Sequence, residues 1–188
     1  MGSTLTVDNI QGATASSKVG IPGHVIRIEQ AVKTDTQTSQ TSFTFLDISG
    51  LTLTLTPTAA TSKFFISFLV RGSSNYYTSY VKLLRGIGGT FTALGENADG
   101  SADNRLRIAS AVVDDQTTMN AHGIMQHHTF QLLDAPNTTS AVTYKLQMAG
   151  RGGGSNLMYV NRTVPDRGVS GEYDYRAVSY LQVMEIGG

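Results

Sequence analysis

The chain has 188 residues, with 14 basic and 14 acidic side chains and therefore no formal net charge. Proteins that bind nucleic acids or anionic membranes usually carry an excess of Lys and Arg. This chain has none, so neither is an expected partner. Cysteine is absent, which excludes disulfides, thiolate catalysis and zinc held by cysteine. No apolar run approaches the roughly 18–20 residues that span a bilayer, and the first residues do not form a secretory signal.

The first 22 residues carry no sustained pattern, and their apolar residues Leu5, Val7 and Ile10 are isolated in a Ser/Thr/Gly background. Alone, such a segment buries too little apolar surface to fold. We interpret 1–22 as an extended N-terminal arm that docks on a neighbouring chain or, alternatively, lies along its own domain. Residues 23–188 are interpreted as one domain.

Low charge and two-residue alternation predict an all-β fold. Only 15% of residues are charged, and no segment of about eleven residues shows convincing helical periodicity. Short runs recur instead at roughly 8–12-residue spacing, which is typical of a sandwich or barrel of about eight to ten strands. The candidate runs are 24–32, 43–48, 51–56, 63–70, 80–84, 91–94, 106–112, 124–133, 141–149, 157–160 and 178–186.

The run 63–70, KFFISFLV, is apolar on both faces. Side chains two apart share one face of a strand, so Phe65 and Leu69 lie opposite Phe64 and Ile66. A strand of this kind is either central and covered on both sides or lies at a subunit interface. We favour the interface, with Phe65 and Leu69 as the contact residues.

The stretch 127–148, HHTFQLLDAPNTTSAVTYKLQM, predicts two strands joined by a polar connection. Proline fixes φ, and Asp and Asn side chains bond to their own backbone, so the segment 134–140 interrupts the strand. A connection of this length suits either a wide hairpin or a crossing between two sheets. The rest of the chain is expected to pair with this unit or to pack under it.

Three segments resemble virion proteins of tailed phages, especially marine phages. They are the leader STLTVDNIQGATASSKVGIPGHVI at 3–26, the block GLTLTLTPTAATSKFFI at 50–66 and the hairpin-like HTFQLLDAPNTTSAVTYKLQ at 128–147. VNRT at 160–163 and VMEIGG at 183–188 follow in the order found in that family.

The resemblance implies an antiparallel jelly-roll β-sandwich similar to tumour necrosis factor-like domains, usually assembled as a homotrimer. It implies a non-enzymatic tail-fibre, appendage or capsid-decoration protein on the phage particle, made in the host cytoplasm. Through its arm, such a protein would contact other virion proteins of the capsid, neck or tail. Many fibre proteins carry a long shaft before the head, whereas only 1–22 precede the domain here, which favours a compact knob or decoration trimer.

Two tyrosine-rich clusters, 75–80 and 172–176, suggest an alternative function as a receptor-binding fibre tip that recognises a host glycan. Tyrosine offers a flat apolar face to a sugar ring and a hydroxyl for hydrogen bonds, although it is equally favoured at protein interfaces. The candidate residues are Tyr76, Tyr77, Tyr80, Tyr173 and Tyr175.

Metal sites find little support. Adjacent strand residues point to opposite faces, so His127 and His128 do not share one ion within a subunit, and a site with His122 or around a threefold axis is a weak alternative. The acidic loop 96–103 offers the oxygen ligands that calcium prefers but lacks the EF-hand spacing. We expect no metal and no cofactor.

Catalytic motifs are missing from the sequence. It contains no G-x-S-x-G, and the glycines at 86–89 are not followed by the Lys-Ser/Thr of a phosphate loop. Distant carboxylates can converge in a fold, which leaves a polysaccharide depolymerase as a second alternative. The glycosylation sequons at 137–139 and 161–163 carry no weight without a secretory signal.

Overall fold

The computed structural model describes residues 23–39, 44–75, 78–96, 108–113, 124–151, 156–166, 168 and 174–188. These residues form β-strands and no helix, and hence no helix that could cross a membrane, which confirms the all-β prediction. The strands are β1 (Val25–Lys33), β2 (Gln37–Thr38), β3 (Leu46–Leu55), β4 (Lys63–Ser74), β5 (Thr78–Ile87), β6 (Thr90–Leu94), β7 (Ser110–Val113), β8 (Gln126–Asp134), β9 (Val142–Gly150), β10 (Met158–Val160) and β11 (Ser179–Ile186).

The strands make two antiparallel sheets that pack as a sandwich. The first, which we call the β4 sheet, has the order β1-β11-β4-β10-β2, with β8 on the other side of β4. The second, the β5 sheet, has the order β3-β9-β5-β6, with β7 also paired to β5. This arrangement is consistent with the expected jelly-roll sandwich.

The core lies between the sheets and is built by alternation. On β4 the side chains of Phe64, Ile66, Phe68 and Val70 are at most 2% exposed, and they face buried residues of β9 such as Leu146. Burying each of these side chains stabilises the fold by about 1.5–3 kcal/mol. The predicted inward face of 63–70 is therefore confirmed.

The central unit crosses between the sheets. β8 pairs with β4, whereas β9 pairs with β3 and β5, so the connection after Asp134 is a crossing rather than a hairpin. Asp134, the last residue of β8, accepts two hydrogen bonds of 2.7 Å where the crossing begins, one from the Tyr144 hydroxyl and one from the Arg85 guanidinium. Burial and the bond to Asp134 raise the pKa of Tyr144, which keeps its hydroxyl protonated as a donor.

Ser49 and Gly50, which separate the predicted runs 43–48 and 51–56, lie inside β3. Gly50 has a φ of 81°, and the pairing of β3 with β9 shifts register between Asp47 and Thr52. A glycine with positive φ next to a register shift is typical of a bulge, which bends a strand without ending it. The two runs predicted around this point therefore form one strand.

Two strands extend beyond their predicted runs. The predicted run 63–70 ends at Val70, but β4 continues to Ser74 because β8 and β10 pair with it. β5 likewise continues to Ile87, so the turn consists only of Gly88 and Gly89, with φ of 58° and 85°. Two central residues with positive φ are what a tight β-hairpin turn requires. In addition, the short strand β2 lies between the predicted runs 24–32 and 43–48, where no strand was expected.

A second polar contact joins the sheets at the other end of β8. His128 is 0% exposed, and its Nε2 lies 2.9 Å from the Oγ of Ser79 on β5. Burial lowers the pKa of His128 from 6.5 to about 4 and outweighs a hydrogen bond to the backbone of Ser110. The imidazole is therefore neutral in the folded protein at pH values where a free histidine is charged.

The Tyr144 hydroxyl gives a first test of the crossing. Tyr144→Phe is expected to lower the free energy of unfolding by about 1–3 kcal/mol, because a buried oxygen of Asp134 loses its partner. Chemical denaturation measures this change. Tyr180→Phe, on the outward side of β11, is the matched control and should cost less than about 0.5 kcal/mol. Equal losses in the two variants would contradict the role given to this hydroxyl.

His128 predicts how stability depends on pH. Below pH 6.5 the unfolded chain gains a proton at this histidine that the folded chain does not accept until about pH 4. The unfolded state therefore binds more protons in this window, and the free energy of unfolding falls as the pH falls, by roughly 3 kcal/mol in total. Denaturation series between pH 7 and about 5 avoid most carboxylate titration.

Matched variants separate this histidine from its neighbour. His128→Gln keeps a polar group opposite Ser79 but does not titrate, so its stability should stay nearly flat between pH 6.5 and about 5. His127→Gln, at an exposed position, should keep the decline of the wild type. Wild-type stability that does not change over this window would show that His128 is not a buried neutral base.

Candidate assembly and ligand-binding surfaces

The outward side of the β4 sheet, which we call the outer face, is formed by side chains that alternate with the core residues of β1, β11, β4 and β8. Strand pairing aligns them in three rows. The first row is Ile28, Met184, Phe65 and Leu133, the second is Gln30, Gln182, Ser67 and Gln131, and the third is Val32, Tyr180, Leu69 and Thr129. None of these residues carries a charge at neutral pH, and most of the first and third rows is apolar.

Several apolar residues of the outer face are open to solvent. Ile28, Leu133 and Val32 are 57%, 52% and 51% exposed, although all three are large and aliphatic. Single exposed aliphatic residues are common on protein surfaces, whereas apolar residues that continue one another along a row, as in the first row, mark interaction sites. The outer face therefore has the composition of a contact surface.

The middle row consists of amides and one hydroxyl. The Gln30 amide donates to the Gln182 carbonyl oxygen at 3.2 Å, and Ser67 and Gln131 continue the row across β4 and β8. Each of these groups can both donate and accept a hydrogen bond. A second copy of the same row could therefore satisfy it without any charged partner.

The outward side of the β5 sheet differs in character. Its Thr54 and Thr143 hydroxyls are hydrogen-bonded at 2.8 Å, and the Asp47 carboxylate accepts from Lys145 at 2.8 Å and from Gln147 at 2.7 Å. Burial acts to raise the pKa of Asp47, but these two hydrogen bonds hold it below its usual value. Polar groups on this side are thus matched within the chain.

Both residues predicted to contact another subunit lie on the outer face. Phe65 is half-buried between Met184 and Leu133, and Leu69 is half-buried beside Tyr180. The alternation therefore placed them on the side opposite the core, as expected. Their part in a trimer stays a prediction.

Beyond the third row the outer face ends in a cavity of about 420 Å³. Arg71 of β4 and His127 of β8, which are paired across the two strands, contribute to its lining. The full lining is Arg71, Ile124, Met125, His127, Tyr175, Arg176 and Ala177. Its volume falls in the range of about 300–1,000 Å³ that is usual for small-ligand sites.

The cavity has a cationic lining. Of the described residues that form it, two are arginines and none is acidic. The Nε of Arg71 is buried and has no hydrogen-bond partner among the described residues. Arg176 is bonded to Asp166, and this bond holds the pKa of Asp166 below its usual value. The guanidinium of Arg162 lies 3.5 Å from the same carboxylate.

The candidate glycan-binding tyrosines fall in different places. Tyr175 lines the cavity and is 48% exposed, with its backbone N–H donating to the Thr163 hydroxyl at 3.4 Å. Tyr80 lies on β5, in the opposite sheet, so the two are not brought together. The remaining candidates, Tyr76, Tyr77 and Tyr173, lie outside the described residues, as does the arm with Leu5, Val7 and Ile10.

The histidines behave as the strand pattern predicts. His127 is exposed and His128 is buried, on opposite faces of β8, while His122 lies outside the described residues. Within the described ranges, no three His, Asp or Glu side chains are grouped so that they could hold a metal ion. Of the acidic loop 96–103 only Glu96 is described, and its carboxylate lies 3.3 Å from the Lys82 ammonium.

Four described carboxylates have pKa values shifted in the wrong direction for a general acid. Those of Asp35, Asp47, Asp166 and Glu185 are all below the usual value. For Glu185, burial acts in the opposite direction, but hydrogen bonds from the 58–62 loop and the charge of Arg27 outweigh it. A glycosidase acid needs a raised pKa. None of these four therefore fits the depolymerase alternative.

The VNRT segment has a structural role that sequence analysis did not predict. Asn161 is 0% exposed with a φ of 60°, and its amide donates to the carbonyls of Lys33 at 2.8 Å and Asp35 at 3.0 Å. Its side-chain oxygen accepts from the Ser179 hydroxyl at 2.6 Å. The amide ties the end of β1 to β11, and its burial is incompatible with glycosylation of the folded chain.

Sequence analysis also missed Arg71 and Arg176 as candidate ligand contacts. A signal for Arg71 was present, because the alternation that places Phe65 and Leu69 on one face of β4 continues to residue 71. For Arg176 there was none, since its proximity to Arg71 depends on the path of the chain into β11.

No protein-family model matches this chain, and no curated protein matches it. Similar solved structures include that of the infectious bursal disease virus Gt strain, with a TM-score of 0.42 and 15% identity over 99% of this chain and 42% of the other. A VP2 subviral particle of that virus has a TM-score of 0.38 and 14% identity over 85% and 41%. The chain spans less than half the length of these chains. Likenesses at this level assign neither a family nor a function.

Proposed function

We propose that this chain is a non-enzymatic structural subunit of a virus particle that assembles with copies of itself through the outer face of the β4 sheet. The observation that carries the proposal is the contrast between the two sides of the sandwich. The outer face presents apolar rows around an amide row without charge, whereas the β5 sheet presents polar groups matched within the chain. Three rows of side chains without charge are suited to burial against another copy.

The charge of the chain favours self-association. Identical subunits with a large net charge repel one another, but the formal net charge here is zero. Closed symmetric assemblies of one chain are the commonest soluble oligomers. The homotrimer implied by the sequence resemblance uses Phe65 and Leu69 as its contacts, together with the exposed Val32 and Leu133.

The place of the subunit in a virion rests on the sequence resemblance. It is that of a compact knob, appendage, tail-fibre or decoration protein on a tailed-phage particle, synthesised in the host cytoplasm. Residues 1–22, with Leu5, Val7 and Ile10, form the arm that docks the trimer on other virion proteins. A function in host attachment is the second candidate, and the cavity beside Tyr175 is the observation that favours it.

A charge in the third row tests the assembly surface. Leu69→Lys and Val32→Lys should each convert the trimer to a monomer, because a buried unpaired ammonium is strongly destabilising at an interface. Val32 is 51% exposed in the single chain, so its replacement should not disturb folding. Size-exclusion chromatography with light scattering measures the mass, and circular dichroism confirms the β-structure.

Thr52→Lys on the exposed side of β3 adds the same charge to the β5 sheet, and this control should remain trimeric. A wild-type chain that is monomeric at micromolar concentration would refute the proposal. Unchanged assembly of Val32→Lys would show that the contact lies elsewhere.

Removal of residues 1–22 tests the docking arm. The shortened chain should form the same trimer, because the outer face is complete without the arm, but it should no longer join particles. Incorporation is measured by quantifying the protein in purified particles produced with either version. Equal incorporation of both versions would refute the arm's docking role.

A further inference from the structure

We propose that the cavity at the Arg71 end of the outer face binds an acidic saccharide, a sugar whose carboxylate or sulfate group contacts Arg71 and Arg176. This inference goes beyond the assembly role and does not depend on it. The three rows that carry the assembly proposal end at Leu69, and the cavity begins at the next outward position of β4.

Arg71 supplies the first part of the site. Its Nε is buried and lacks a hydrogen-bond partner among the described residues. A buried donor without a partner is unfavourable, so an oxyanion that accepts from the Arg71 guanidinium would be favoured in the cavity. The planar guanidinium presents donors in a fork that matches the geometry of carboxylate and sulfate oxygens.

The backbone of Arg71 is held in place by the buried Asn161 cluster. Its N–H donates to the Ser179 hydroxyl at 3.0 Å, and its carbonyl accepts from the Asn161 N–H at 2.8 Å. The same Ser179 hydroxyl donates to the Asn161 side chain. The backbone from which the arginine side chain extends is thus held before any ligand arrives, which reduces the entropy lost on binding.

Arg176 supplies a second cation from a different segment. Asp166 partly neutralises it, but Arg162 also contacts that carboxylate, so two guanidinium groups share one acid. Among the described residues of 156–166 and 174–188 that precede β11, Asp166 and Asp174 are acidic, and neither lines the cavity. The positive charge of the lining therefore favours an anion.

The remaining lining explains why the anion belongs to a sugar. Tyr175 is 48% exposed, and Ile124 and Met125 add apolar surface. The apolar face of a sugar ring packs on such surfaces, and aromatic rings are preferred. A free inorganic ion would leave most of a 420 Å³ cavity unused. A nucleic acid would need an extended basic surface, for which a chain of zero net charge is poorly suited.

Isothermal titration calorimetry on the full chain tests the site. The probes are a sulfated oligosaccharide, its desulfated counterpart, a uronic-acid oligosaccharide and inorganic sulfate. We expect one of the two acidic oligosaccharides to bind, and the desulfated sugar and inorganic sulfate to bind at least about tenfold more weakly. The desulfated sugar lacks the anion that contacts the arginines, and inorganic sulfate lacks the ring that packs on the apolar lining.

Matched variants locate the binding. Arg71→Gln should lower the affinity for the acidic oligosaccharide by about tenfold or more, whereas Lys63→Gln should change that affinity by less than about twofold. Lys63 is the suitable control because it lies on the outward side of the same strand, at the end away from the cavity. Tyr175→Ala, at a half-exposed position, should also weaken binding of the oligosaccharide. It replaces Arg71→Gln as the test variant if thermal unfolding shows that Arg71→Gln is unstable.

Several outcomes would overturn the proposal. They are the absence of binding by either acidic oligosaccharide, equal binding of the desulfated sugar, and equal binding of inorganic sulfate. If Lys63→Gln lowers the affinity as much as Arg71→Gln and Tyr175→Ala do, the ligand binds outside the cavity.

Discussion

The structure depends on the fact that β4 is apolar on both of its faces while the sandwich covers only one. Phe64, Ile66 and Phe68 are buried against the β5 sheet, but Phe65 and Leu69 point the other way, into rows that include exposed aliphatic residues. Leaving such side chains partly exposed forgoes part of the roughly 1.5–3 kcal/mol that full burial of each would contribute. Outward positions of β3 and β9 carry threonine, which is stable in contact with water. Apolar residues at the outward positions of the β4 sheet are favourable only when another surface covers them.

The inside of the sandwich is fixed by a few polar contacts that set the two sheets and their strands in register. Tyr144 and Arg85 hold Asp134 where the chain crosses between sheets, and His128 meets Ser79 at the other end of β8. Because Asp134, Tyr144 and His128 are buried, their polar groups must be satisfied or neutral, and the lowered pKa of His128 is one consequence.

Alternation along single strands was predictable from sequence, and contacts between distant segments were not. The two faces of 63–70 and the strands around 134–140 follow from side-chain period alone. Whether Gly50 makes a turn or a bulge depends on the pairing with β9, and whether Arg71 lies in a loop or a strand depends on β8 and β10. The cavity joins Arg71, His127 and residues 175–177, so no local pattern could have shown it.

Protection of the outer face from solvent is the most direct measure of the proposed assembly. The chain has no cysteine, so Leu133→Cys introduces a unique thiol at a position that is 52% exposed in the single subunit. Thr52→Cys places the reference thiol on the exposed side of β3. Self-association predicts that the thiol at 133 reacts many times more slowly with a soluble thiol reagent than the thiol at 52, and that dilution restores its rate. Equal rates for the two thiols at concentrations where the protein is abundant would contradict burial of the outer face between copies.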